Sequence, residues 1–328
     1  MASRFRHPEL PDEQAAILAR AVRYEWLTIG YLALTIAAVG IVMGSSQALK
    51  TAWVEDLLSL APPFAFLIAT RIAAMPATAR FPYGYFRATG VAHLVAGVAL
   101  LTMGAVLVGE SAISLVTNDR PPVGTVQLFG APVWSGWLMI GVMALTIPVP
   151  VIFGRIKMKL ARQLHNKVLY ADADMNKADW MTAAGSIVGV TGIGLGFWWA
   201  DSAAAAFIAA SILWDGVKNT RGAITDLMDT RATTFDDDRP HPDAELVARY
   251  LQNLPWVDDV YVRVRDEGQF LHVEAFVVPR SNRSLTLERL EEARAACRAL
   301  DWKLLDVVLT PVAEVPPLVA SRSERRPS

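Results

Sequence analysis

From about residue 24 to residue 220 the chain is a series of long apolar runs separated by short polar links. Six runs reach, or nearly reach, the length of about 20 residues that a helix needs to cross a bilayer. They lie near 24–44, 50–72, 89–117, 133–154, 174–199 and 202–220. Each predicts a transmembrane helix. Residues Met1 to Arg23 are rich in Arg, Glu and Pro and contain no apolar h-region, so the first run reads as a retained span rather than a cleaved signal.

After residue 225 the pattern changes. Pro242 to Asn253 is amphipathic, with Leu246, Val247, Tyr250 and Leu251 apolar, and Val260-Tyr261-Val262-Arg263-Val264 alternates with period two. A Glu267-Gly268 turn, a strand over Phe270 to Val278, a helix over Leu285 to Leu300 and a short strand over Leu304 to Leu309 follow. This α-β-β-α-β order predicts a small ferredoxin-like sandwich. The expected organisation is therefore an N-terminal segment over 1–23, a six-helix transmembrane domain over 24–225, an α+β domain over 226–316 and a disordered tail over 317–328.

Lysine and arginine placement sets the orientation. Arg4, Arg6, Arg20 and Arg23 precede the first run, Arg71, Arg80 and Arg87 follow the second, and Arg155, Lys157, Lys159, Arg162 and Lys167 follow the fourth. The links around 45–49, 118–132 and 198–202 hold a single basic residue, Arg120. Both termini are thus expected in the cytoplasm, in a bacterial inner membrane. Composition agrees: 53% of the 328 residues are apolar and only 19% are charged, and the 31 basic residues balance 32 acidic ones, which argues against nucleic acid as a partner and for lipid. The single cysteine, Cys297, excludes an internal disulfide.

Polar residues inside apolar runs are costly and mark pathways or partners. The second run contains Lys50, Glu55, Asp56 and Ser59, and the fifth opens with Asp172, Asp174, Met175, Asn176, Lys177 and Asp179. Residues four apart share a helix face, so Glu55 with Ser59 and Met175 with Asp179 form two pairs that facing helices would close into a four-ligand cage. Asp56, Asp172 and Asp174 read as vestibule charges that draw cations in. Other readings stand beside this one. Glu55 and Asp179 pair with Lys50 or Lys177 as structural ions, Met175 simply fills the core, and Ser59 bonds its own helix backbone. His272, on a strand without a second ligand at metal spacing, is expected to face solvent or a dimer partner.

Five segments carry a resemblance: "SQALKTAWVEDLLS" over Ser46 to Ser59, Phe81-Pro82-Tyr83-Gly84-Tyr85, "ADADMNKADWMTAAG" over Ala171 to Gly185, the run from Asp201 to Asp229, and Leu254-Pro255-Trp256-Val257. Together they resemble the cation diffusion facilitators, proton-coupled exporters of divalent transition metals. The resemblance implies six spans, cytoplasmic termini and a homodimer formed through the ferredoxin-like domain. It also implies a metal site at Glu55, Ser59, Met175 and Asp179, of which only Asp179 matches the family's usual residue. Two carboxylates, a hydroxyl and a thioether do not select among Zn²⁺, Mn²⁺, Fe²⁺ and similar ions. The family's loop places a basic residue where Tyr85 stands here, so Asp229 is expected to take Arg80 or Arg87 as its partner at the junction with the soluble domain.

Two functions follow as expectations. The first is export of a divalent cation in exchange for protons. The second is a non-transporting subunit or regulator whose metal cage is degraded by Ser59 and Met175. The sequence shows no P-loop and no Ser-His-Asp arrangement, so neither an enzyme nor ATP-driven pumping is expected, and no prosthetic group.

Overall fold

The computed structural model describes residues 10–42, 53, 55–117, 125–128, 131–197, 199–281 and 285–315. Lys50 and the expected disordered tail over 317–328 lie outside them. The first helix, α1 (Asp12–Val42), begins well ahead of Tyr24. The reason is amphipathicity: Ile17, Leu18, Ala21 and Val22 recur on one face and are buried, so the helix continues past the apolar run. A helical stretch from Glu55 leads into α2 (Ala61–Ala73), and α3 (Ala88–Thr117) follows.

A hairpin of β1 (Thr125–Leu128) and β2 (Ala131–Trp134), paired Thr125 to Trp134, precedes the fourth apolar run. That run is two helices, α4 (Ser135–Thr146) and α5 (Pro148–Leu164), joined at Ile147, whose backbone is itself helical. Pro148 has no N–H to donate, so the ladder is interrupted while the path continues. α5 ends at His165, whose left-handed backbone (φ 47°) caps it, and α6 (Lys167–Gly194) starts on the Asn166 side chain, which accepts from the Leu169 N–H at 3.0 Å. α7 (Ala200–Leu227) completes the bundle.

Among the described residues four stretches are long and apolar enough to cross a membrane: Asp12–Ile41, Glu55–Ala73, Ala88–Ser114 and Gly136–Leu164. α6 and α7 have 28 residues each but carry the polar residues discussed below. Large apolar side chains such as Leu34, Ile68, Ile113, Leu145, Phe207 and Trp214 are exposed around the bundle. Surface of that kind needs lipid rather than water. The chain is a multi-pass membrane protein.

Two apolar clusters hold the bundle. One joins Leu18, Ala21 and Val22 of α1, Phe66 and Leu67 of α2, Leu160 and Leu164 of α5, and Val168 and Leu169 of α6. The other joins Ala99, Leu100 and Met103 of α3, Met175 and Ala178 of α6, and Ile212 of α7. α3 and α7 approach backbone to backbone. A Cβ on Gly104 would stand 2.6 Å from the Leu213 backbone, and one on Gly216 2.5 Å from that of Leu101. Only glycine allows such a crossing.

Beyond α7 the elements run α8 (Pro242–Gln252), β3 (Val257–Glu267), β4 (Phe270–Pro279), α9 (Leu287–Leu300) and β5 (Asp306–Pro311). The three strands form a sheet in the order β3-β4-β5, antiparallel then parallel. Val247 and Leu251 of α8 and Ala293 and Cys297 of α9 share one core with Val264, Val273, Ala275, Val277 and Val307 of the strands. The β3–β4 turn touches the bundle. Gly268 (φ 89°) lies against Phe86 and Thr89, and the Phe270 ring meets Phe86 edge-on at 5.3 Å. Of the two expected settings for His272, solvent or a dimer partner, the first does not hold within the chain. His272 is buried, with Asp306 at 2.7 Å and Glu274 at 3.3 Å, because two carboxylates flank it and replace water.

Candidate cation site

Ser59 and Asp179 meet. The Ser59 hydroxyl donates to Asp179 Oδ1 at 3.2 Å, joining the stretch before α2 to the middle of α6. Ser59 is buried and Asp179 half-buried. On a helix Glu55 and Asp56, four and three positions before Ser59, flank its face on either side, about 100° from one another. Asp56, read from spacing as a vestibule charge, thus stands beside Glu55 as a second acid flanking the Ser59 contact with Asp179.

Met175 belongs to the apolar cluster with Leu100, Met103 and Ile212 and is 1% exposed, so it packs where the spacing expected a ligand. Lys177 pairs with Asp215 at 2.7 Å, which leaves Asp179 without a basic partner among the described residues. The structural ion-pair reading therefore does not apply to Lys177.

Asp172 and Asp174 do not line an open vestibule. Both are buried because nearby groups satisfy them. Lys157 Nζ, fully buried, stands 2.6 Å from Asp172 Oδ2 and 3.0 Å from Glu25 Oε2. Asn176 Nδ2 donates to the Asp172 backbone at 2.8 Å. Asp174 accepts from Asn219 Nδ2 at 3.0 Å, and the Asn219 carbonyl lies 3.3 Å from His93 Nε2. Glu25 and Lys157 carry roles that sequence reading missed. For Lys157 the signal was available: it shares a helical face with Leu160, Ala161 and Leu164, all buried, so it could not be a loop charge.

A second ionic cluster ties the bundle to the α/β part. Lys167 Nζ lies 2.5 Å from Asp226, 2.6 Å from Asp237 and 3.2 Å from Asp266, and His165 Nε2 lies 3.3 Å from Asp266. Burial opposes the charged form of Asp266, but the Lys167 ammonium and the His165 ring outweigh it and hold the carboxyl down to about 2. His93, Asp226 and Asp237 place donor atoms within 4.8 Å of one another, in the manner of a metal site. The ammonium of Lys167 is the cation that occupies those carboxylates. At the junction, Arg87 pairs with Asp229, which Arg265 also reaches at 3.6 Å, while Arg80 stacks over the Phe81 ring at 5.7 Å.

The bundle thus sets a carboxylate and a hydroxyl against one another between two helices, inside a largely apolar surface. The comparisons name the family: residues 25–228 match the model of the cation efflux transmembrane domain, and the chain belongs to that family. It is similar to the manganese efflux system protein MneS of Bacillus subtilis, 22% identical over 291 residues, which are 86% of this chain and 88% of that one. It is also similar to a probable cation efflux system protein of Mycobacterium tuberculosis, 27% identical over 205 residues (61% and 57%). A magnetosome protein MamB from Magnetospira is 21% identical over 233 residues (71% and 73%). Membrane transport of metal cations is the class to which the chain belongs.

Proposed function

We propose that this protein exports Mn²⁺ or a similarly hard divalent cation from the cytoplasm in exchange for protons. The observation that carries this reading is the contact of Ser59 with Asp179, across two helices of the cation efflux domain. Asp179, Asp56 and the Ser59 hydroxyl are the proposed ligands, with Glu55 as a further carboxylate along the path. An all-oxygen set suits Mn²⁺ better than Zn²⁺, which favours imidazole and thiolate. Similarity to MneS supports the same metal.

In this reading α6 and α7 are the fifth and sixth spans, their polar residues turned inward, and both termini lie in the cytoplasm of a bacterial inner membrane. The α-β-β-α-β part is a ferredoxin-like module that pairs two copies of the chain. The deciding experiment is uptake of Mn²⁺, Fe²⁺, Zn²⁺ and Mg²⁺ by proteoliposomes under an imposed pH gradient. Mn²⁺ accumulation that is lost in Asp179→Asn supports export. Uptake at the level of empty liposomes for every ion would favour the non-transporting subunit or regulator.

A further inference from the structure

Glu25, Lys157 and Asp172 form a charged group that the cation ligands leave unused. They come from three helices, α1, α5 and α6, and all three are buried. One ammonium faces two carboxylates, so full ionisation leaves one uncompensated negative charge in the interior. Such a charge is expensive in a low-dielectric surrounding. The two carboxylates are not equivalent. Asp172 is held at 2.6 Å by Lys157 and lies 3.4 Å from Asn176 Nδ2 through its other oxygen. Glu25 has the longer 3.0 Å contact through Oε2, and its Oε1 has no hydrogen-bond partner among the described residues.

Lys157 from α5 and Asp172 from α6 are the charged groups that act on Glu25; α2, also packed on α1, contributes none to that set. Asp172 also lies seven positions before Asp179 on α6, two turns or about 10 Å along the same face. The triad is therefore electrically joined to the cation site without sharing a ligand with it.

We infer that Glu25 is a proton-binding site, and that the proton it holds is the one a cation arriving at Asp179 displaces. With the proton on Glu25 the triad is neutral. When a divalent cation reaches Asp179, its field opposes the proton; the carboxylic O–H bond breaks, the electron pair stays on the carboxylate, and the proton leaves to water. The triad then carries one negative charge that offsets part of the cation's. Return of a proton reverses the step when the cation departs. This deepens the proposed function and rests on its cation–proton exchange.

The test is infrared difference spectroscopy on the full-length protein in detergent, read at the carboxylic acid C=O band, with Mn²⁺ as the probe. Mn²⁺ should remove a band from the wild-type protein. Glu25→Gln, nearly isosteric, should lack that band before Mn²⁺ is added, and calorimetry in buffers of different ionisation enthalpy should find fewer protons released per Mn²⁺ bound. Asp172→Asn, which removes the neighbouring carboxylate, should shift the band and gives a second variant if Glu25→Gln does not fold. A band and proton release unchanged in Glu25→Gln, or a band unmoved in Asp172→Asn, would overturn the inference. Absence of Mn²⁺ binding by the wild-type protein would overturn the proposed function and with it the displacement step, while a pH titration of the metal-free protein separately reads whether the band, and so the proton site, belongs to Glu25.

Discussion

Ser59 donates its hydroxyl hydrogen to Asp179 at 3.2 Å, although 120 residues separate them along the chain. The serine stands where the second acidic ligand of the resembled family would be, so the contact replaces a repulsive carboxylate pair by an attractive one. Asp179→Asn should abolish Mn²⁺ binding. Ser59→Ala should weaken it by about tenfold, or about 1.4 kcal/mol, the low end for a hydrogen bond to a charged group. Ser59→Asp should tighten it. Titration calorimetry reads all three, and an Asp179→Asn protein that binds as the wild type does would move the site elsewhere.

The two neighbouring acids of the second run are expected to differ. Asp56 stands three positions before Ser59 and Glu55 four, on either side of its face. With Asp56 as the proposed ligand, Asp56→Asn should reduce Mn²⁺ affinity more than Glu55→Gln, and the reverse order would assign the ligand to Glu55.

Arg87 and Asp229 pair at the joint, both about half-exposed, so their coupling should be small, about 0.2–1 kcal/mol. Asp229 has a left-handed backbone (φ 61°), which asparagine tolerates better than alanine. A double-mutant cycle of Arg87→Gln with Asp229→Asn, followed by thermal melting, isolates the charge term from backbone strain. The same cycle with Arg80→Gln should give none, since Arg80 rests on Phe81.

Gly104→Ala and Gly216→Ala each push a methyl group into facing backbone between α3 and α7. Each should destabilise the bundle by about 1–3 kcal/mol. Gly109→Ala, with no atom within 4 Å of the added carbon, should be harmless. Equal melting temperatures for Gly104→Ala and Gly109→Ala would mean that the two helices are not in close contact.

His241 caps α8, its Nδ1 accepting from the Asp243 N–H at 3.3 Å. Burial first, then the charges of His165 and Lys303, push the ring from an ordinary 6.5 to about 3. The folded protein thus refuses a proton that the unfolded chain accepts. Stability from this group is complete above about 6.5 and declines as the pH falls from there toward about 3. His241→Asn, which can still cap the helix, should flatten that part of the melting-temperature profile. An unchanged slope would show that other groups titrate there.

Periodicity made much of the architecture readable, and the limits are physical. The α-β-β-α-β order was visible because each strand and helix there exposes one face to water and buries the other, as Val260 to Val264 do by alternation. α1 was read too short because its first turns bury Leu18 and Ala21 against protein, not lipid, and look polar in a hydropathy run. Helical spacing put Ser59 and Asp179 among the inward polar positions of the second and fifth runs, and the structure joins the two by a hydrogen bond. Glu25 was not found, because its partner Lys157 lies 132 positions away and a single acid at a helix start resembles an interfacial charge. Lys167 was counted among orientation-setting cations for the same reason; its three carboxylates come from separate stretches of chain.

Gly268 and Phe270 fix the sheet to the bundle at the tip of one hairpin, while the strands run away from that tip for 11 and 10 residues. A rod pinned at one end is a lever. At about 3.3 Å per residue the arm is about 33 Å long, so a tilt of about 5° where α3 begins sweeps its far end through about 3 Å. Movements too small to notice among the transmembrane helices become, at the outer edge of the sheet, displacements the size of an atom.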